Sequence, residues 1–247
     1  MICDSHVHLK HGDAEGREYP PEVIVRTMDE VGIDKSVVFA MSTTTRHSIE
    51  MAGNAAEKFP GRLIPYVYAI PNFERPVLSE LEEALSERNF RGIKIHAGEC
   101  SLAEYLIDPV LELAGIYDVP CLIDCCGNHN AAERMASNFP QTRLIVAHLG
   151  KYLCDDEALI DRFIGIAEKC NNVFLDASGV AISWKIKDAV GRVGSNRVMW
   201  GTDGPCEAPD TAGFARRELD RIRTLNLDEK QRDDLLGQTI AGLLKVY

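Results

Sequence analysis

No apolar run in this 247-residue chain approaches the roughly 20 residues needed to cross a bilayer, so a membrane-spanning helix is not expected. The N-terminus lacks a charged segment followed by an apolar one, which argues against a secretory leader and makes the cytoplasm the expected location. Positive charge is in deficit. With 27 Lys and Arg against 38 Asp and Glu the net charge is -11, which makes nucleic acid and anionic membrane poor partners for the surface as a whole. It leaves open an anionic small molecule, since a pocket sets its own local field. No CxxC pair occurs among the eight cysteines, so a ribbon or finger zinc site is not expected. Cys3, Cys121, Cys125 and Cys126 sit within or at the ends of apolar segments, where reduced thiols are the better reading than a disulfide framework. No G-x-G-x-x-G follows the first apolar segment, for Gly12 and Gly16 do not make one, and this disfavours a doubly wound dinucleotide fold.

What is present is a repeating unit. The composition, 45% hydrophobic and 26% charged, is that of an ordinary globular protein. Residues 2–8 read as a strand and the polar, glycine-rich residues 10–20 as a loop; Pro20 and Pro21 open a helix to about Val31, with Gly32 as its stop. Strands are then predicted over 36–40, 63–69, 92–96, 119–124, 144–148, 173–177 and 197–200. Helices are predicted over 46–59, 77–88, 102–117, 131–138 and 156–170, with a short one after 177 and two closing helices over 212–225 and 228–246. Eight strands, each followed by a helix at intervals of roughly 25 to 30 residues, make an α/β fold of the (β/α)8 TIM-barrel type. No linker, low-complexity tract or charge block divides it, so a single domain over 1–247 with an extra C-terminal helix is expected.

The polar residues fall where such a barrel carries its chemistry, at the C-terminal ends of strands. The first strand ends in His6 and His8, the fourth in Lys94 and His96, the fifth in Asp124, the sixth in His148, the seventh in Asp176 and the eighth in Asp203. The strand period of two puts His6 and His8 on one face and Val7 on the other, with the imidazoles about 6 to 7 Å apart along it. Alone, an H-x-H pair is a weak signal, since one His packed in a core and another at a turn would give the same pattern. A whole set of polar groups at one end of the strands, each costly to bury unpaired, is harder to explain blandly.

The sequence resembles the amidohydrolase-related TIM-barrel proteins of the amidohydrolase 2 group. The resemblance rests on Asp4-Ser5-His6-Val7-His8, on residues 32–38 and 90–96, on Ala147-His148-Leu149-Gly150, on residues 172–178 and on residues 196–205. These fall in order over almost the whole chain. The resemblance implies one divalent metal ion, zinc first, held by His6, His8 and Asp203. It makes Asp203 the acceptor of the attacking water's proton and His148 the group that orients or deprotonates that water. The sequence departs from the family at the fifth strand, where a ligating histidine is usual and Asp124 stands instead. With Asp124 as fourth ligand the set is harder and more anionic, and tolerates Mn or Fe as well as zinc; otherwise His96 takes up part of the role.

Lys94, His96 and Arg46 are the candidate substrate-binding residues. Lys94 offers its ammonium to a site or substrate carboxylate, in preference to a carbamylated bridge between two metals. Arg46 and Lys151, just after strand ends, are candidate anion contacts, Asp176 a candidate orienting group and Trp184 a candidate pocket wall. Cys100, Cys125, Cys126, Cys154 and Cys206 fall near the barrel mouth, where small buried hydrophobes are the better reading than thiol ligands. His11, His47 and His129 show no partner pattern and read as loop or surface residues. The expected function is metal-dependent hydrolysis of an ester, lactone or amide bond in a small polar molecule. The alternatives are non-oxidative decarboxylation of an aromatic or unsaturated acid, and a metal-free barrel that binds a ligand without chemistry. A homodimer is common for barrels of this size.

Overall fold

The computed structural model describes residues 1–12 and 15–246; Asp13 and Ala14, in the loop expected over 10–20, and Tyr247 lie outside the described residues. The chain alternates strand and helix as β1 (Cys3–Lys10), α1 (Pro21–Val31), β2 (Lys35–Ala40), α2 (Thr45–Lys58), β3 (Leu63–Pro65), β4 (Val67–Tyr68) and α3 (Leu78–Glu87). It continues through β5 (Ile93–His96), α4 (Glu104–Ile116), β6 (Cys121–Asp124), α5 (His129–Asn138), β7 (Leu144–Val146), α6 (Glu157–Lys169), β8 (Val173–Asp176), α7 (Trp184–Val193) and β9 (Val198–Met199). It ends with α8 (Thr211–Arg223), α9 (Glu229–Asp233), a π turn over Asp234–Gln238 and α10 (Thr239–Leu244).

Every strand pairing is parallel, in the orders β1-β2-β3 and β4 through β9. The two sets are one barrel. β3 and β4 are a single strand position interrupted at Tyr66, whose N–H bonds Val38 O at 3.0 Å while Val67 N–H turns to Gly92 O at 3.0 Å. The last and first strands meet through Ser5 N–H to Trp200 O (3.2 Å), Asp203 N–H to His6 O (2.9 Å) and His8 N–H to Gly204 O (2.7 Å).

Both faces of the strands are buried, which is why they read as unbroken apolar runs rather than alternating ones. Val37, Phe39, Tyr66, Leu122, Ile145 and Met199 fill the barrel, and Ile240, Leu243 and Leu244 of α10 join that cluster. Val38, Ile49, Leu81, Ile107, Leu111 and Phe163 belong to the layer between strands and helices. Each fully buried side chain of this size contributes about 1.5–3 kcal/mol. Helix boundaries follow capping residues: Thr44, Asn128, Asp156 and Asp210 accept backbone N–H bonds at helix starts, and Gly32 ends α1 with its N–H on Met28 O. Among the described residues no helix is long and apolar enough to cross a membrane.

Candidate active site

The histidines of β1 reach the barrel interior through an irregularity the pattern does not announce. β1 pairs β2 through Asp4 with Ser36 and Val7 with Val38, three steps against two, so one extra residue is accommodated near Ser5 and His6. Cys3 belongs to the barrel interior while Val7 and Leu9 belong to the outer layer. Without the bulge, the parity of Cys3 would carry Val7 inward; with it, His6 and His8 face the interior, their ring centroids 5.2 Å apart.

His6 is fixed from behind. Its Nδ1–H donates to Asp176 Oδ2 at 3.0 Å, with Ser178 Oγ at 3.2 Å. That leaves the lone pair of Nε2 facing Asp203 Oδ1 at 3.1 Å, and His8 Nε2 stands 2.9 Å from the same oxygen. Burial, reinforced by Lys94, holds His6 well below the ordinary imidazole value, and burial lowers His8 to about 4. Both rings are therefore neutral and able to serve as ligands. Burial alone would raise Asp203, but His6 and His148, then His8, hold it well below the usual carboxylate range. Lys94, buried beneath, donates to His6 Nε2 at 3.3 Å and lies 5.2 Å over the Phe39 ring; burial lowers its value against the pull of Asp124, Asp203 and Asp176.

This donor set fits a divalent metal ion. An imidazole lone pair and a carboxylate oxygen 3.1 Å apart are two acceptors with no proton between them, and a cation satisfies both. The Asp176 contact on the far nitrogen is the arrangement that orients a metal-binding histidine. The ligand atoms of His6, His8 and Asp203 lie within 4.8 Å of one another.

Asp124 does not join that group. Its Oδ2 lies 3.2 Å from His96 Nε2 and 3.5 Å from His148 Nε2, and its Oδ1 accepts the Cys126 N–H at 2.8 Å. Gly98 N–H donates to His96 Nδ1 at 3.0 Å, so the proton of His96 sits on Nε2 and points at Asp124. The expected four-ligand set is thus divided between a His6, His8, Asp203 group and an Asp124, His96, His148 cluster. His148 donates Nδ1–H to Ser178 O at 2.8 Å. Burial opposes its charge, but Asp203, Asp124 and Asp176 prevail and raise it to about 9, an imidazolium across the cavity from an ionised Asp203. Burial and Asp124 push the Cys126 thiol up to about 11.

A cavity of about 290 Å³ opens at this end of the barrel, lined by His6, His8, Lys94, His96, Asp124, His148 and Asp203. Arg46 is not brought there: its guanidinium grips both oxygens of Glu83 at 3.0 Å, tying α2 to α3 on the outer layer. Trp184 is half-exposed at the start of α7 with Lys185 Nζ 4.4 Å over its ring, and Lys151 is exposed. Neither lines the cavity. His11, expected as a surface residue, does: it stacks on His8 at 4.4 Å and donates to Pro205 O at 2.8 Å. β1 runs two residues further than its apolar pattern suggests, and Tyr19 N–H returns to Leu9 O at 2.8 Å, bringing Tyr19 to the cavity wall. Tyr152, edge-on to His148, is another wall residue without a sequence signal.

The chain matches the amidohydrolase family over residues 3–246. No curated protein sequence matches it. Among solved structures it is similar to a zinc-bound amidohydrolase from Burkholderia multivorans, with 15% identity, a TM-score of 0.77 and full coverage of both chains. It is also similar to a 5-carboxyvanillate decarboxylase from Sphingomonas paucimobilis, with 14% identity over 100% of this chain and 99% of that one and a TM-score of 0.74. A third is a probable 2-pyrone-4,6-dicarboxylic acid hydrolase from Acinetobacter baumannii, with 15% identity, 99% of each chain covered and a TM-score of 0.69. At these identities the structural likenesses speak for the fold.

Proposed function

The chain belongs to the amidohydrolase family of metal-dependent enzymes, and from that premise we propose that it hydrolyses an ester, lactone or amide bond in a small polar molecule entering the barrel mouth. Family membership sets aside a barrel that binds without chemistry. The observation that carries the reading is His6 Nε2 facing Asp203 Oδ1 at 3.1 Å, beside His8 Nε2. His6, His8 and Asp203 hold one divalent ion, zinc first, with Mn or Fe as alternatives. When bound, that ion supplies Lewis-acid polarisation and a water of lowered pKa.

The chain's own groups do the rest. Asp203, held well below the usual carboxylate range and so ionised, accepts the water's proton. His148, kept protonated by Asp203 and Asp124, supplies a proton to the departing oxygen or nitrogen. Lys94 and His96 line the floor beside them and hold the polar end of the substrate. The eight free cysteines suit a reducing cytoplasm.

Lys94 favours a second reading. A buried ammonium at the floor also suits a substrate carboxylate, and so non-oxidative decarboxylation of an aromatic or unsaturated acid. Incubation with panels of lactones and of hydroxybenzoate-like acids separates the two by release of acid or of CO₂. Asp203→Asn tests the site itself: turnover is expected to vanish while metal binding only weakens. Wild-type turnover in that variant removes Asp203 as the base.

A further inference from the structure

The structure assigns to Asp4 a positioning role: its single carboxylate clamps the strand that carries His6 and His8 to the segment that carries Asp203. The clamp rests on the metal-binding reading of those three residues. Asp4 Oδ1 accepts two backbone N–H groups, that of His6 at 3.1 Å and that of Thr202 at 2.9 Å. Asp4 Oδ2 accepts the Thr202 hydroxyl at 2.7 Å, and Thr202 Oγ1 in turn accepts the Gly204 N–H at 3.0 Å. Asp4 lies on the outer side of the bulge and does not line the active-site cavity, so it touches neither substrate nor ion.

Asp4 and Thr202 are 198 positions apart, and the bulge makes the junction necessary. At the extra residue the β1–β2 ladder is broken, leaving His6 N–H to be satisfied from elsewhere. On the other side, Asp203 stands in the left-handed region with φ 59, a conformation a non-glycine residue keeps only where its surroundings over-determine it. Bonds on Thr202, Asp203 and Gly204 do so: Thr202 N–H and Oγ–H on Asp4, Asp203 N–H on His6 O at 2.9 Å, and Gly204 N–H on Thr202. The segment also presses directly on β1. A Cβ at Gly201 would stand 2.9 Å from His6 Cβ and 2.9 Å from Ser5 Oγ. The two backbone segments whose approach sets the distance between His6 Nε2 and Asp203 Oδ1 therefore meet at Asp4, through His6 N–H, Thr202 N–H and the Thr202 hydroxyl.

The test reads the ion rather than the reaction. Full-length protein freed of metal is titrated with Co²⁺, recording affinity and the visible d–d spectrum, for wild type, Asp4→Ala, Asp4→Asn, Thr202→Val and Thr202→Ser. Asp4→Ala is expected to bind Co²⁺ about 10- to 100-fold more weakly with displaced d–d bands. Asp4→Asn, which keeps an oxygen for the two N–H groups, recovers most of the affinity. Thr202→Val, which removes the hydroxyl's contacts to Asp4 Oδ2 and to Gly204 N–H but keeps the Thr202 N–H on Asp4, shifts the spectrum in the same direction, and Thr202→Ser restores it. With substrate, kcat falls while KM holds. Should Asp4→Ala fail to fold, the Thr202 pair decides. Co²⁺ binding by wild type that is unchanged in affinity and spectrum in the variants overturns the clamp alone. Absence of Co²⁺ binding by wild type overturns the metal reading and the clamp with it.

Discussion

Asp176 Oδ2 lies 3.0 Å from His6 Nδ1, and this one contact decides which nitrogen of His6 faces Asp203. Ser178 Oγ and the His148 N–H converge on the same oxygen, so Asp176 is fixed before it fixes anything else. The carboxylate keeps the proton on Nδ1 and makes Nε2 the more basic, outward-facing lone pair. Asp176→Asn offers a neutral oxygen, or an amide N–H that would reverse the tautomer. Metal affinity is expected to fall about 10- to 100-fold, read by competition with a coloured chelator. An unchanged affinity would mean that Asp176 serves the barrel core alone.

Much of this was legible in the sequence because strand ends are periodic. The H-x-H pair, Lys94, His96, His148, Asp176 and Asp203 each close an apolar run, and a parallel barrel sends those ends to one rim. Local register was not legible. The β1 bulge changes parity near Ser5 without a glycine to mark it, and the sixth strand stops at Val146 because His148 and Leu149 enter the left-handed region. Partner choice was not legible either. Arg46 is drawn to Glu83 and Asp124 to His96 by residues distant in sequence, and charge type alone does not name the partner.

Arg46 provides the contrast. Its pair with Glu83 is well over a third exposed on both sides, where solvent screens the attraction. Arg46→Ala is expected to leave kcat/KM unchanged and to cost at most about 1 kcal/mol of stability, measured by urea denaturation. A large rise in KM would return Arg46 to the substrate site.

Gly150 closes the run of left-handed residues that turns His148 towards the cavity, with φ 112. A Cβ there would stand 2.0 Å from Phe163 Cδ2, inside a fully buried ring. Gly150→Ala must either push Phe163 off its rotamer or shift the turn, and about 2 kcal/mol or more of stability is expected to be lost. Phe163→Ala alone leaves a cavity, costing about 3–5 kcal/mol. The double variant should be less destabilised than the sum, because the alanine methyl then enters space the ring has vacated. Strict additivity in denaturant midpoints would show that Gly150 is required for backbone conformation only.

The charge on His148 has a signature in stability that is independent of catalysis. Its folded value is raised from 6.5 to about 9, against burial, by Asp203, Asp124 and Asp176. Below pH 6.5 folded and unfolded chains both hold the proton and the attraction contributes in full. Between 6.5 and about 9 the folded chain keeps a proton the unfolded chain has released, so stability falls as pH rises, and above about 9 the contribution is gone. In chelator-treated protein, where no ion competes for Asp203, wild type is therefore expected to lose stability relative to His148→Gln across that interval. Thermal unfolding of the two from pH 6 to pH 10 measures the difference. Parallel curves would mean that His148 is neutral in the folded state, and the proton it is assigned to give the leaving group would have to come from His96 or Lys94.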